Sequence, residues 1–261
     1  MGIFKLSNRR INQVVLLAAF MLPMVLNAQK NRTDEKGRKQ GDWVKTFPGS
    51  RAILYKGQFK NDLPVGTFTY YYPSTKVKAI IKHDEETKRS VGYFYHENGE
   101  LMTFGKYLNY KKDSLWFNFG PSGRISFTDS YKADSLHGVK TVYFVSENIN
   151  DKSERKSRVM HYNNGKLDGD YKEWFDFGGV RTIGQYKDNK KVGYWIDYQP
   201  TGKMLAKTHY KNGIRHGWCY AYDKDGKEVN KVYYFLGELK EGKDLEFIMK
   251  QMKEKGINPN G

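Results

Sequence analysis

The stretch YKNGIRHGWCYAYDKDGKEV, residues 210–229, decides the fold. A short aromatic run stands between two glycine turns, and the same arrangement occurs 24 residues earlier as YKDNKKVGYWIDYQPTGKML, residues 186–205. With Gly217 as anchor, Gly193 and Gly169 precede it at steps of 24, and Gly138 follows at a step of 31. Ser114, Ser90 and Gly66 continue at steps of 24, and Gly41 closes the series of eight units at a step of 25. Self-similarity at a fixed period of this size marks a repeat architecture, so it outranks any strand-by-strand reading.

Several registers run through the units together. Five residues after the anchors stand Thr46, Tyr71, Tyr95, Phe119, Tyr143, Trp174, Tyr198 and Tyr222. Seven residues before them, Phe59, Tyr107, Tyr131, Tyr162, Tyr186 and Tyr210 are aromatic too. Gly99, Gly123, Gly178, Gly202 and Gly226 recur nine residues after. Each unit holds two runs rich in Tyr, Phe, Trp, Val and Thr, residues that suit a pleated, half-buried surface. Between the runs stand turn sequences such as HENGE, GPSGR, QPTGK and DKDGK, whose Gly, Asn, Asp and Pro supply the backbone angles that hairpins need. Each unit therefore reads as one β-hairpin. The whole reads as an all-β, elongated antiparallel meander of about 16 strands. In this reading the anchor glycines lie where the chain reverses, and the rings five residues on face their counterparts as a cross-strand ladder.

These units resemble MORN repeats, in the variant form of bacterial YwqK-like proteins. The resemblance rests on the pattern Tyr-x-x-Gly-x-x-x-Gly-x-Trp-x-x-Tyr followed by Asn-Gly-Lys. It covers residues 41–242 and is closest in the units at Gly169, Gly193 and Gly217. It implies a curved, single-layer sheet that stacks hairpin on hairpin.

Two stretches break the period. Residues 146–158, SENINDKSERKSR, hold the seven extra residues of the long step and read as a longer hairpin loop or a hinge. Residues 243–255, KDLEFIMKQMKEK, place Leu245, Ile248, Met249 and Met252 on one helix face. Asp244 is the expected cap and Gly256 the expected stop. This helix, with the tail to residue 261, is expected to cover the last hairpin, because an open sheet edge invites aggregation. Residues 29–40 are polar and aperiodic and read as a flexible lead-in.

At the N-terminus, Lys5, Arg9 and Arg10 precede the apolar run VVLLAAFMLPMVL, and NAQ follows. That order predicts a signal peptide over residues 1–28, cleaved between Ala28 and Gln29. The run has 13 residues, against the roughly 20 a span needs. An exported protein is implied, in the periplasm, associated with the outer membrane, or secreted. The net charge of +16 becomes +13 without residues 1–28. Such a charge favours acidic partners, and export argues against nucleic acid. The single cysteine, Cys219, reads as a small buried hydrophobe.

No catalytic constellation is visible. The six histidines form no HExxH or paired-ligand spacing, and one thiol cannot build a thiolate zinc site. There is no GxSxG elbow. DKDG at 223–226 starts like a calcium loop, but Tyr234 stands where its closing Glu is needed. His137 and His216, each before an anchor, read as turn residues. The expectation is a chain with no catalytic residue, no metal and no cofactor. It would be an envelope binding or scaffold protein with a protein partner. Its candidate binding residues are the ladder rings Tyr71, Tyr95, Phe119, Tyr143, Trp174, Tyr198 and Tyr222. The alternative partner is an anionic lipid surface, and the third reading is an antitoxin-like binder.

Overall fold

The computed structural model describes residues 30–146 and 153–260. The expected signal peptide with its cleavage site at Ala28 and Gln29, and residues 147–152 of the insertion, lie outside the described residues. Within them the chain forms β1 (Arg32–Thr33), β2 (Lys39–Thr46), β3 (Ile53–Lys60), β4 (Leu63–Tyr71), β5 (Val77–His83), β6 (Arg89–Tyr95), β7 (Leu101–Leu108), β8 (Lys111–Phe119), β9 (Ile125–Lys132) and β10 (Ser135–Leu136). There follow β11 (Gly138–Tyr143), β12 (Lys156–Asn163), β13 (Lys166–Trp174), β14 (Val180–Lys187), β15 (Lys190–Tyr198), β16 (Met204–Lys211), β17 (Ile214–Tyr222), β18 (Glu228–Phe235), β19 (Glu238–Lys240) and the helix α1 (Gly242–Glu254). The 19 strands make one open antiparallel sheet in which each pairs with its neighbour in sequence, except that the short β10 pairs with β9 alone and β11 pairs with β9 past it. The meander is thus as the repeats predict. The strands beyond sixteen are the short β1, β10 and β19, of two or three residues each.

The two kinds of turn lie on opposite rims. On one rim are two-residue turns with positive φ at both residues, such as Asn61–Asp62, Asp188–Asn189 and Asn212–Gly213, the form whose twist matches that of the strands. A turn residue donates its N–H to the repeat before: Asp134 to Lys112 O at 2.9 Å, Asn189 to Leu167 O at 2.8 Å and Gly213 to Lys191 O at 2.9 Å. On the other rim are four-residue loops closed by the periodic glycines, as Gly99 N–H on His96 O and Gly202 N–H on Gln199 O, both at 2.9 Å. Side chains tie these loops together as well: Tyr72 Oη donates to Tyr95 O at 2.7 Å and Gln199 Nε2 to Asp223 O at 2.5 Å. Hairpins are stacked by hydrogen bonds at both ends as well as by the ladders between.

The anchor glycines do not lie in the turns. Gly66, Gly169, Gly193 and Gly217 sit inside β4, β13, β15 and β17 with φ between 61° and 113°. The neighbouring strand slips register opposite each, for example between Ile183 and Gln185. They are β-bulges, where an unpaired residue increases the local twist. Ser114 keeps φ 60° at such a bulge. Ser90 pairs in unbroken register with His83, so that repeat needs no left-handed residue, and the Ser90 hydroxyl instead meets His83 Nδ1 at 2.8 Å.

The core rings stand two residues after their anchors, not five. Phe68 and Trp116 are 1 % exposed and Trp195 is 4 % exposed. Each lies over a strand glycine nine residues before its own anchor. A Cβ added at Gly57, Gly105 or Gly184 would come within 2.5 Å of Phe68, 2.2 Å of Trp116 or 2.3 Å of Trp195. The rings seven residues before successive anchors then close on the core ring edge-on, Tyr186 and Tyr210 at 5.0 and 6.4 Å from Trp195, Tyr107 and Tyr131 at 4.9 and 6.3 Å from Trp116. A lysine two residues before the anchor closes the stack, Lys112 over Trp116 at 4.4 Å and Lys191 over Trp195 at 3.9 Å. Each such contact is worth about 0.5–1 kcal/mol where exposed. The indole N–H is satisfied by a strand carbonyl, Lys106 O or Gln185 O. In this way a single sheet buries large side chains on one face without a second layer.

The ends differ from their sequence reading. The lead-in folds back: β1 pairs with β2, and Asp34 accepts from Arg38 and Gln40, which holds its carboxyl at about 2 against the competing effect of burial. The first-turn acid Asp244 does not cap α1. The cap position is Glu241, and its side chain makes no capping hydrogen bond. Gly256, at φ 62°, follows the helix end. The helix buries Met252, and the Tyr233 hydroxyl, on a fully buried ring, donates to Pro259 O at 2.8 Å. Asn260 bridges Trp218 N–H and Tyr194 Oη. The helix therefore covers the face of the last hairpins that carries Trp218 and Tyr233. The insertion joins β11 to β12 as a hairpin, its last residues 156–158 already belonging to β12.

Candidate binding cleft

The rings five residues after the anchors sit at the strand ends beside the four-residue loops, half-buried and on the face opposite the core rings. No ring pair in the described residues joins two of them, because successive rings stand on strands that have another strand between them. Among the described residues, Phe119 alone of these packs on another ring, Phe104, at 6.1 Å. The face-on stack on this side runs instead through Tyr93, Phe104 and Phe117, at 5.9 and 4.7 Å. Tyr71 and Trp174 lie under Lys56 and Lys172.

Two of the rings do converge. Tyr198 and Tyr222 line a cleft of about 540 Å³ on the loop rim, with Phe175, Arg181, Asp197, Pro200, Leu205 and Lys224. The strands fix this arrangement: Tyr198 ends β15, Tyr222 ends β17, and the Gln199 side chain clips the loop of one to the loop of the other. Leu205 is 49 % exposed because it is the extra residue where β16 slips register against Tyr198. Beside the cleft Phe177, 61 % exposed, stacks on Phe175 at 5.1 Å, and Arg181 lies over Phe175 at 5.9 Å. Asp197 accepts from the Thr182 hydroxyl at 2.7 Å. Burial, with Glu228 and Tyr220 nearby, pushes the Tyr222 hydroxyl above its ordinary value, so at neutral pH it remains a proton donor. The cleft thus offers an apolar floor, the hydroxyls of Tyr198 and Tyr222 and both signs of charge at its edge.

The sequence reading singled out Tyr198 and Tyr222 and missed Phe175, Arg181 and Leu205. Phe175 follows a ladder ring directly in WFDFGG, and that cluster of rings at a loop was the available signal. A wider concavity of about 890 Å³ lies at the first hairpin loop, lined by Trp43, Thr46 and Phe47. There the repeat places Thr46 where the others place a ring.

The histidines read as turn residues are placed differently. His216 is 4 % exposed inside β17, and its Nδ1 accepts from Leu236 N–H at 3.3 Å. Burial, Lys211 and His209 hold it below the usual histidine range. His137 stands between β10 and β11. Cys219 is buried and its thiol is pushed up by burial. Among the described residues no three His, Cys, Asp or Glu side chains are grouped to hold a metal ion, and no helix is long and apolar enough to cross a membrane.

No protein-family model matches the chain, and no curated protein matches it. Among solved structures it is similar to S. aureus TarM, at 12 % identity and TM-score 0.24 over 49 % of this chain and 19 % of that one, for a mutant in complex with fondaparinux, alpha-GlcNAc-glycerol and UDP. A second TarM structure gives 11 % identity and TM-score 0.23 over 48 % of this chain and 20 % of that one. The TcdB2-TccC3-Cdc42 complex gives 10 % identity and TM-score 0.19 over 76 % and 12 %. Likenesses at this level carry no argument about function.

Proposed function

We propose that this chain is a non-enzymatic binding or scaffold protein of the cell envelope, a MORN-like repeat sheet that holds a protein partner in the cleft of Tyr198 and Tyr222. The observation that carries the reading is the division of the aromatic residues. One register, at Phe68, Trp116 and Trp195, is consumed in packing. The other reaches the loop rim half-buried, and there Tyr198 and Tyr222 meet the exposed Leu205. Half-buried tyrosines beside an arginine are the residue types in which interface energy concentrates. A repeat sheet also offers a long, regular surface for a partner. The basic, apolar N-terminal sequence supports export.

The test is a pull-down from envelope fractions with the chain as bait. Tyr198→Ala and Tyr222→Ala should each lose the captured protein while retaining the parent's melting profile. Capture unchanged in both variants rejects the cleft. Salt-sensitive flotation with anionic vesicles, abolished by neither variant, would replace a protein partner by a lipid surface.

A further inference from the structure

The two ends of the sheet are finished differently. At the first edge, Asn31 stands in for a strand: its N–H donates to Asp42 O at 2.8 Å, its side-chain amide donates to Val44 O at 3.0 Å, and its side-chain oxygen accepts from Val44 N–H at 2.8 Å. Together with β1 it blunts that edge. At the last edge, β19 pairs only with Tyr233, Tyr234 and Phe235 of β18. Residues Glu228–Lys231 are exposed throughout; Glu228, Asn230 and Lys231 pair with β17 on one side, Val229 being the extra residue of a bulge, and none pairs with a strand on the other side among the described residues. The helix lies on the face of the last hairpins, so this edge stays open. Val229, 62 % exposed, stands in the middle of it.

We propose that this edge is a self-association surface, and that its occupant is the same edge of a second copy. The segment Glu228-Val229-Asn230-Lys231 is self-complementary in charge. Antiparallel pairing about a twofold axis between Val229 and Asn230 sets Lys231 of each copy opposite Glu228 of the other. Among the described residues Lys231 lies over the rings of Trp218, at 4.2 Å, and Tyr220, at 5.5 Å, and makes no ion pair with a carboxylate. The β-bulge at this strand end shortens the edge, which favours a specific short pairing over open-ended sheet growth. The interface is isologous and uses up the one edge left open among the described residues of each chain. The other end is blunted by Asn31, so assembly closes at two copies.

The experiment is sedimentation velocity of the purified chain over a dilution series, with no other protein present. A concentration-dependent equilibrium between one and two copies is expected. Glu228→Lys and Lys231→Glu should each weaken it roughly tenfold, since like charges then face one another across the pairing. The double variant, with the charges exchanged, should return to near the parent's affinity. Both positions are exposed, and unchanged circular dichroism confirms that the variants fold. A single copy at every concentration, a dimer indifferent to both single reversals, a double variant no better than the singles, or assemblies larger than two would each overturn the proposal.

Discussion

Trp195 and Lys140 occupy the same place in their repeats, two residues after Gly193 and Gly138, yet they solve different problems. Trp195 lies over Gly184, between Tyr186 and Tyr210. Around Lys140 the glycine is replaced by Asp129, 4 % exposed, whose Oδ1 lies 2.9 Å from the lysine ammonium. Tyr131 donates to the same carboxylate at 3.4 Å, and Phe127 lies under the ammonium at 4.4 Å. One slot in the backbone thus accepts either a ring on a glycine or an ion pair. The ion pair falls where the period breaks, at the joint of β9, β10 and β11 beside the insertion. A ring buried on glycine stabilises by excluding water from a large apolar surface. A buried pair contributes little net, but losing one member is costly. The regular repeats therefore carry the stability, and the joint is the weaker seam.

The largest effect expected is topological. Repeats contact mainly their neighbours, so removing residues 193–216, one whole period, should leave a folded β protein that melts lower. Removing half a period reverses the following strands and should abolish the fold. Equal circular dichroism of the two deletions would break the repeat account.

Next comes the ring itself. Trp195→Ala should cost about 3–5 kcal/mol, as large aromatic truncations in cores do, read by denaturant unfolding. Gly184→Val should also destabilise strongly, because its Cβ meets the indole. At the joint, Asp129→Ala strands the ammonium and should cost about 2 kcal/mol, below the 3–5 typical of fully buried pairs because Lys140 is partly exposed. Exchanging the joint for the regular pair, Asp129→Gly with Lys140→Trp, should recover at least that loss. A double variant less stable than Asp129→Ala would show that the slots are not equivalent.

A smaller effect is set by pH. His83 and His216 are both held below the ordinary histidine value, chiefly by burial. Their folded state binds protons less readily than the unfolded chain, so stability is full above the unfolded value of about 6.5 and falls as pH drops below it. His216→Phe should flatten that slope in melts taken between neutral and mildly acid pH. An unchanged slope would mean that the ring titrates freely.

The meander was legible because glycine spacing and aromatic periodicity report backbone geometry directly. The insertion at the break of period was legible for the same reason. The role of the anchors was not. A positive φ serves a turn and a bulge equally, and only the register between Ile183 and Gln185 tells which. The core ring was hidden because its register holds Trp43, Phe68, Trp116, Tyr171 and Trp195 but also Gly92, Lys140 and Cys219, while the register five residues on is more uniformly aromatic. Uniformity followed the rim, where each repeat needs the same loop geometry. Burial followed the position that faces a glycine across the strands, a pairing that sequence spacing alone does not reveal. Tyr198 and Tyr222 were legible as rings, but the Leu205 bulge that opens the cleft between them was not.

The central claim is that neighbouring rings in one strand do different work, Trp195 holding the fold and Tyr198 holding a partner. Thermal melts and partner capture, measured side by side on Trp195→Ala and Tyr198→Ala, test it most directly. The account predicts a large fall in melting temperature for Trp195→Ala. For Tyr198→Ala it predicts a change below about 1 kcal/mol, as for a side chain outside the core, with capture lost. A large melting loss at Tyr198→Ala with capture retained by the folded fraction would contradict it.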